Sequence, residues 1–403
     1  MTESVSVKTA PTVLYTSADV DLQGGALRCL FDMGNEIGNW GYRPVLVLSK
    51  DQVGSSPKHE NGSVRTYALP LPRPKRGKSI GSYLRDIVET ARSARRLASI
   101  IRRERVSVVH VNEILDVYGG IAARLAGVPC VWHVRADISS WPLPLRKLLP
   151  RIVARLSSEI IAVSASVEEE VFQRQGVETP KVSVIHDPGP DPSAFRPDLD
   201  GAAIRRELGL DDRTGLVVLV AKMVEPKGHE VLIRAVPNVL ASFPDAHFLI
   251  VGGDLDGSHH QEYAARLRRL PSQLGIGSSV TFAGYRSDIP EIMAAADVVT
   301  HCSTHPDPFP GVVLQGMALG KAVVASDIGG PREQIEDGRS GVLVAPGDSA
   351  ALARAISDLL GDPGKRATLG HCAATRVRDK FTSDLFYRRL SETYGDLIRS
   401  RAS

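Results

Sequence analysis

Two lysines flank one loop in the second half of the chain. Lys222 follows the apolar run 216–220, and Lys227 stands directly before Gly228 and His229. Lysine is a compact cation suited to phosphate oxygens, and two of them could stabilise a diphosphate as negative charge builds on it. The alternative is a pair of solvated surface lysines. We predict a phosphate site here, with a catalytic role for both side chains.

A second candidate loop runs from Asp307 into an apolar helix. The amides at the start of that helix, near Gly311, form an anion site because the helix dipole is positive there. Gln315 lies about one turn into the helix, so Asp307 and Gln315 could face polar groups of one ligand. Asp307 could instead be a plain cap, and Gln315 a buried polar residue satisfied by the backbone. We assign Asp307 a catalytic role and predict ligand contacts at Lys222, Lys227, Asp307, Phe309, Pro310, Gly311, Val312, Gln315 and Tyr285.

Three further turns carry candidate residues. Gly24 and Gly25 precede a helix, where backbone amides can approach a phosphate, although the spacing is not GxGxxG. The segment 328–333 again places adjacent glycines after a strand, with Glu333 at the head of a helix. His133, at the end of a strand, could act on a phosphate or an acceptor hydroxyl, although a lone histidine there is more often structural. We predict ligand contacts at both glycines, Gly24 and Gly25, and a catalytic role for His133.

Short Val/Ile-rich runs alternate with amphipathic helical stretches along the whole chain. This rhythm predicts parallel strands buried on both faces, in two Rossmann-like doubly wound α/β domains facing a cleft. Ligands of such sheets bind outside the carboxyl ends of the strands, where the loops above fall. The predicted strands are 12–15, 44–48, 64–68, 106–111, 130–134, 160–163, 182–185, 216–220, 246–251, 280–282, 298–301, 322–325 and 341–344, and the predicted helices include 81–103, 117–126, 228–242, 261–274, 288–295, 312–319, 349–360 and 383–400.

The densest Pro/Gly stretch, 187–197, is interpreted as the linker between the two domains. We therefore predict domains over 1–190 and 191–382. The remaining residues, 383–403, form a helix whose apolar side chains make one stripe. These side chains are Leu385, Phe386, Leu390, Tyr394 and Leu397.

Composition limits the class of protein. A hydrophobic fraction of 43% and a charged fraction of 24% are ordinary for a soluble globular chain. The N-terminus is polar, and no apolar run approaches the length of about 20 residues that spans a membrane. We therefore expect a cytoplasmic protein. The cysteines are far apart and form no CxxC pair, which argues against zinc or disulfides and favours a reducing compartment; they are Cys29, Cys130, Cys302 and Cys372.

Basic residues are concentrated in the first half, although the net charge is only +3. Residues 73–105 contain eleven Lys/Arg and three Asp/Glu, and residues 142–158 contain four Lys/Arg and no acid. A solvated helix face would explain this, and so would a basic surface for anionic lipid or an anionic acceptor. Nucleic acid is not expected as a partner, because no basic motif with interleaved aromatic residues is present.

Taken together, these turns resemble those of family 4 glycosyltransferases (glycosyl transferases group 1), which are retaining enzymes of the GT-B fold. The resemblance covers nearly the whole chain and is most specific over 222–348. There the Lys227-Gly228 turn resembles the phosphate-binding lysine turn of the family, and 307–315 aligns with its E-x7-E motif.

Three positions depart from the family pattern. Asp307 stands where the family has its first Glu, so the charge is kept on a side chain one methylene shorter. Gln315 replaces the second Glu and can still hydrogen-bond a diol, without the charge-assisted bond. Lys222 replaces an Arg, keeping the charge without the bidentate fork.

The resemblance implies a hexosyltransferase that moves a sugar, with retention, from a nucleotide diphosphate sugar on the second domain to a glycan or lipid-linked acceptor on the first. The basic first half favours an anionic or lipid-linked glycan acceptor, and with it a role in cell-surface polysaccharide or glycolipid biosynthesis on the inner face of the membrane. No cofactor or metal is expected, because Lys222, Lys227 and the helix start at Gly311 would stabilise the diphosphate. The departing phosphate can take the acceptor proton, and the last helix, from Ser383, would cross back onto the first domain.

Two other functions stay open on the residues alone. A nucleotide-sugar epimerase would need acid/base groups, for which Glu333 and His133 are the candidates. A degenerate protein that binds nucleotide or glycan and regulates a partner would fit the replacements at Asp307, Gln315 and Lys222. We favour catalytic transfer.

Overall fold

The computed structural model describes residues 10–17, 25–50, 64–71, 80–253 and 257–402. The chain divides into two compact units. Unit 1 comprises Met1–Asp187 and Asp384–Ser403, and unit 2 comprises Pro188–Ser383. The chain therefore leaves unit 1 where the Pro/Gly-rich stretch begins and returns to it with the last helix.

Unit 1 is built on a seven-stranded parallel sheet in the order β3-β2-β1-β4-β5-β6-β7. Its central strands are rich in Val and Ile and are buried on both faces, as parallel strands covered by helices require. The strands are β1 (Thr12–Ser17), β2 (Arg43–Ser49), β3 (Arg65–Leu69), β4 (Val106–Val111), β5 (Cys130–Val134), β6 (Glu159–Ala162) and β7 (Val182–Val184). The helices are α1 (Gly25–Glu36), α2 (Ile80–Arg103), α3 (Val117–Ala126), α4 (Leu143–Leu156), α5 (Ala165–Glu168) and the C-terminal helix (Ser383–Ala402), with a 3₁₀ turn at Ile37–Trp40 and a π turn at Glu169–Gln173.

Unit 2 is built on a six-stranded parallel sheet in the order β10-β9-β8-β11-β12-β13. The first strand of the unit again lies in the middle, so the sheet is wound in both directions from it. The strands are β8 (Leu216–Val220), β9 (His247–Val251), β10 (Val280–Gly284), β11 (Val298–His301), β12 (Ala322–Ser326) and β13 (Val342–Val344). The helices are α6 (Ala202–Glu207), α7 (His229–Leu240), α8 (Ser258–Gln273), α9 (Ile289–Ala295), α10 (Gly311–Ala318), α11 (Pro331–Gln334), α12 (Ser349–Gly361) and α13 (Pro363–Lys380), with 3₁₀ turns at Glu225–Lys227 and Gly277–Ser279.

The predicted fold class, two doubly wound parallel-sheet domains, is confirmed. Every strand predicted from the sequence is present, and the bounds differ by two residues at most. Helix α13 was not predicted, because its buried face is made of sparse and small residues such as Leu369 and Ala373, which give weak periodicity. No helix bounds were predicted for α4, α5 and α6, whereas a helix headed by Glu333 was expected where α11 lies.

The C-terminal helix belongs to the hydrophobic core of unit 1. Phe386, Leu390 and Tyr394 are buried in the same cluster as the central strands. The hydroxyl of Tyr42 donates to the carbonyl of Ser391 at 2.9 Å, and the Tyr394 hydroxyl lies 2.7 Å from Nδ1 of His110 on β4. The last helix is therefore anchored by apolar burial and by polar contacts.

Helix α4 presents leucines at the surface of unit 1. Leu143 and Leu148 are 59% and 58% exposed, and Leu145 is 42% exposed. The same helix carries the basic residues of the 142–158 segment. In the part of the chain that the structure describes, none of the helices combines the length and apolar character needed to cross a membrane.

Candidate functional site

Three loops of unit 2 meet at the carboxyl ends of β8, β11 and β12. The amide of Thr304 donates to the carbonyl of Pro226 at 2.9 Å, which joins the first loop to the second. The amide of Gly330 donates to the carbonyl of Asp307 at 2.8 Å, which joins the second to the third. Asp307 also forms an isolated parallel bridge with Gly329. The loops that carry Lys227, Asp307 and the paired glycines thus form one continuous surface.

Glycine is required where these loops touch. Gly228 has φ of +66°, and a Cβ added there would lie 1.8 Å from the carbonyl oxygen of Cys302. Gly330 would place a Cβ 2.4 Å from the carbonyl oxygen of Pro308. Both contacts are far inside van der Waals distance, so a side chain at either position would separate the loops.

A cluster of four polar side chains lies at the centre of this surface. The ammonium of Lys227 forms a short ion pair with Oδ2 of Asp307. Nε2 of His301, the last residue of β11, lies 3.2 Å from the same oxygen, and Oγ of Ser303 lies 3.0 Å from that nitrogen. Exposure falls inward, from 33% for the Lys227 side chain to 12% for Asp307 and 4% for His301.

The charge of Asp307 is stabilised by this arrangement. Burial raises the pKa of the Asp307 carboxyl, but the nearby Lys227 ammonium and the hydrogen bond from His301 outweigh it. The pKa therefore lies well below its usual range, which favours the carboxylate form. The lysine that the sequence assigns to phosphate is thus paired with an acid.

The start of helix α10 is held by residues that sequence reasoning did not select. Pro310 precedes the first helical residue, Gly311, and its carbonyl accepts a hydrogen bond from Nε2 of Gln334 at 3.1 Å. Gln334 is fully buried, and its Oε1 has no hydrogen-bond partner among the described residues. Arg376 on α13 donates to the carbonyl of Gln334 at 2.8 Å. These contacts fix the direction of the α10 amides, whose role as an anion site stays a prediction.

His301, Ser303 and Gln334 were all missed by sequence reasoning. For His301 there was a signal, because it closes a predicted strand at the ligand-binding edge of the sheet. For Gln334 there was none, since a glutamine in a short helix is usually a surface residue, and only its neighbours show otherwise.

The remaining predicted donor contacts lie on or beside the same loops. Lys222 follows β8, and Tyr285 follows β10 with 64% exposure. Gln315 and Val312 are half-buried on α10, and Gly311 is exposed. Phe309 is buried and packs edge-on against Phe381, with ring centroids 5.7 Å apart. Their roles toward a donor stay predictions.

Metal independence also stays a prediction. Over the described ranges, no group of three or more His, Cys, Asp and Glu side chains is arranged to hold a metal ion.

Of the site residues predicted in unit 1, the structure describes the burial of His133 alone. Gly24 lies outside the described residues, and Gly25 is the first residue of α1. His133 is fully buried in the core, with its ring stacked on Phe386 at 6.3 Å and edge-on to His110 at 5.4 Å. This placement does not fit the predicted contact of His133 with a phosphate or a hydroxyl. The side chain at a strand end can point into the core as readily as outward, and only the packing decides.

Arg135, two residues further on, occupies the carboxyl edge of the first sheet instead. Its guanidinium donates to both carboxylate oxygens of Asp187, at 2.8 and 3.2 Å. It also donates to the side-chain oxygen of Asn112 by a short bond and lies 3.2 Å from Sγ of Cys29. The Arg135 side chain is only 4% exposed. All three guanidinium nitrogens make contacts with side chains of unit 1. The charge of Arg135 is therefore already used within that unit.

Family models match most of the chain. Residues 200–376 match the model for Glycosyl transferases group 1, and residues 24–188 match the Glycosyl transferase 4-like domain. The two matches fall on unit 2 and unit 1 respectively.

Curated relatives and solved structures agree with these matches. The chain is 32% identical over 313 residues to D-inositol 3-phosphate glycosyltransferase of Stackebrandtia nassauensis, covering 76% of this chain and 67% of that protein. It is 36% identical over 267 residues to GDP-mannose-dependent alpha-(1-6)-phosphatidylinositol monomannoside mannosyltransferase of Mycolicibacterium smegmatis, covering 64% and 67% of the two chains.

The structure of Anabaena HepE in complex with UDP and glucose superposes with a TM-score of 0.81, at 25% identity over 96% of this chain and 100% of that one. Sucrose-phosphate synthase of Thermosynechococcus elongatus shares the fold, with a TM-score of 0.80 at 21% identity over 97% and 100% of the two chains. The chain therefore belongs to the group 1, family 4 glycosyltransferases of the GT-B fold, and it is a transferase of glycosyl groups (EC 2.4 class).

Proposed function

We propose that this glycosyltransferase takes its sugar from a nucleotide diphosphate sugar bound to unit 2 and transfers it, with retention of anomeric configuration, to a phosphate-bearing glycan or lipid-linked acceptor. The observation that carries the donor assignment is the meeting of the Lys227 loop with the loop that leads into α10. A mobile cation and a set of helix N-terminal amides on one surface are the two features that a diphosphate requires.

In the proposed reaction the Lys227 ammonium and the amides beginning at Gly311 stabilise charge on the departing diphosphate. Lys222, at the end of β8, adds a second cation. The bond from the anomeric carbon to the diphosphate oxygen breaks, a bond to the acceptor oxygen forms on the same face, and the departing phosphate takes the acceptor proton. No step in this scheme needs a metal ion.

A panel of UDP-, GDP- and ADP-sugars tests this proposal. Slow release of one nucleoside diphosphate in the absence of acceptor would identify the donor, and proton NMR of the product would give the anomeric configuration. The rate should be unchanged by EDTA. An inverted product would overturn retention, complete loss of activity in EDTA would overturn the metal-free scheme, and isomerised sugar without nucleotide release would favour an epimerase.

For the acceptor, the relatives supply the argument. Two of them are named for inositol phosphate or a phosphatidylinositol mannoside. We therefore propose a polyol acceptor bearing phosphate. Transfer to inositol phosphate compared with free inositol measures this directly, and equal transfer to both would count against recognition of the phosphate.

Helix α4 is the proposed contact with an anionic membrane surface, which would place a lipid-linked acceptor beside the enzyme. Its exposed leucines Leu143, Leu145 and Leu148 can enter the headgroup region while Lys147 and Arg155 face anionic lipid. This combination separates α4 from an ordinary basic helix face, which carries no cluster of exposed leucines.

Liposome flotation with and without anionic lipid tests the membrane contact. Replacing the three leucines by serine should abolish flotation with anionic vesicles. Leu274→Ser is the matched control, because Leu274 is an exposed leucine of unit 2 and should have no effect. Equal flotation of the triple variant and the wild type would remove α4 from the proposal.

A further inference from the structure

His301 is a buried histidine whose position the transfer reaction has not yet explained. It ends β11, its side chain is 4% exposed, and Nδ1 has no hydrogen-bond partner among the described residues. Its other nitrogen, Nε2, faces Oδ2 of Asp307 and Oγ of Ser303. We therefore place a ring proton on Nε2, where it can be donated to the carboxylate.

Asp307 has two partners on one oxygen. Both the ammonium of Lys227 and Nε2 of His301 contact Oδ2. Lys227 is one-third exposed and can move toward a ligand, whereas His301 is fixed in the core at the end of a strand. The carboxylate is 12% exposed, so a partner that leaves is not replaced by bulk water.

This geometry matters when a diphosphate binds. The phosphates compete with Asp307 for the Lys227 ammonium, and a buried carboxylate that loses its cation carries a large penalty. A hydrogen bond from His301 to the same oxygen lowers that penalty, because the charge keeps one donor. Lys227 is then easier to release to the ligand.

We propose that His301 is a positioning residue of the phosphate site, which keeps Asp307 hydrogen-bonded while Lys227 moves from Asp307 to the diphosphate. The inference rests on the proposed function, since the ligand is the diphosphate part of a nucleotide sugar. In this proposal Asp307 holds the Lys227 ammonium until the diphosphate competes for it. A purely structural role for His301 would instead affect every ligand and the stability alike.

The test compares a nucleoside diphosphate with its nucleoside by calorimetric titration, using UDP, GDP and ADP beside uridine, guanosine and adenosine. In His301→Leu the diphosphate should bind about tenfold more weakly, because the hydrogen bond to a charged group is lost. The nucleoside, which does not contact Lys227, should bind as in the wild type. His301→Gln is the conservative control, since its amide can donate to Asp307 and should restore most of the affinity.

A second variant removes the competing charge. In His301→Leu combined with Asp307→Asn, Lys227 has no carboxylate to hold it, so diphosphate affinity should return to at least the wild-type value. Unchanged diphosphate binding in His301→Leu, equal weakening of the nucleoside, or failure of the double variant to recover would each overturn the role of His301. A wild-type protein that binds none of the three diphosphates would overturn the proposed function itself, and this inference with it.

Discussion

Two ion pairs lie at the carboxyl edges of the sheets, Arg135 with Asp187 in unit 1 and Lys227 with Asp307 in unit 2, and they differ in kind. In unit 1, Arg135 is 4% exposed and its planar guanidinium is held by Asp187, Asn112 and Cys29. In unit 2, Lys227 is 33% exposed, and among the described residues its ammonium pairs with the Asp307 side chain alone. The Arg135 guanidinium is therefore enclosed by its partners, whereas the Lys227 side chain stays partly accessible to solvent.

We interpret Arg135 as a structural charge and Lys227 as a functional one. A guanidinium with all its nitrogens engaged cannot turn to a ligand without abandoning several hydrogen bonds. An ammonium on a flexible stem can change partner, provided that its acid keeps another donor. We expect the unit 1 pair to be needed for stability and the unit 2 pair for turnover, and the following measurements test that division.

The largest effect on stability is expected from Arg135→Met. It leaves the Asp187 carboxylate in a largely buried site without its cation, so the free energy of unfolding of unit 1 should fall by about 3–5 kcal/mol. Urea unfolding followed by tryptophan fluorescence measures this, because all three tryptophans, Trp40, Trp132 and Trp141, belong to unit 1. Adding Asp187→Leu should recover part of the loss. A single variant as stable as the wild type would mean that the pair is not a closed structural unit.

The largest effect on activity is expected from Lys227→Ala. Losing a cation that stabilises the departing diphosphate should lower kcat by about 10²–10³-fold, with the fold intact. Lys365→Ala is the matched control, since Lys365 also pairs with an aspartate of unit 2, Asp358 at 2.5 Å, but is on none of the three loops that meet at the site. Donor turnover measures both variants. If Lys227→Ala turned over as fast as Lys365→Ala, the unit 2 pair would be structural after all.

The stability of the two units should also depend differently on pH, which is a smaller effect than those of the substitutions above. Burial, and then the charge of Arg135, holds the pKa of His110 and His133 in unit 1 well below 6.5. In unit 2, burial lowers the pKa of His229 to about 4, partly opposed by its hydrogen bond to a carbonyl, and burial lowers that of His247 to a lesser extent. Because these folded pKa values are depressed, the unfolded chain takes up protons first, and stability is lost as pH falls below about 6.5.

Two fully buried histidines should reduce the stability of unit 1 by up to about 2.7 kcal/mol per pH unit, against about 1.4 kcal/mol for His229 in unit 2. Tryptophan fluorescence reports unit 1 between about pH 6.5 and 5, and hydrogen exchange over 188–383 reports unit 2. His133→Phe, which keeps the ring contact with Phe386, should remove about half of the unit 1 slope. An unchanged slope would show that His133 already binds a proton in the folded state.

Much of this structure could be predicted from the sequence because it depends on local pattern. Val/Ile-rich runs separated by helical stretches indicated the strands and the parallel, doubly wound class, and family matches over both halves confirm the family that the turns resemble. The loops at Lys227 and Asp307 were placed at the carboxyl ends of strands, and they do meet there.

The partners of the charged residues could not be predicted in this way. Lys227 and Asp307 are 80 residues apart, and Arg135 and Asp187 are 52 apart. His133 and Arg135 lie two positions apart at the same strand end, yet one ring is enclosed in the core and the other side chain forms the polar edge.

The sequence by itself therefore determined the elements, their order and the loops in which chemistry can occur. Only the tertiary structure decided that Asp307 holds Lys227, that His301 supports Asp307, and that Arg135 is closed to ligands. The reason is physical: hydrophobic periodicity is a property of neighbouring residues, whereas hydrogen bonds between distant side chains depend on which strands lie side by side and on where each loop is pinned.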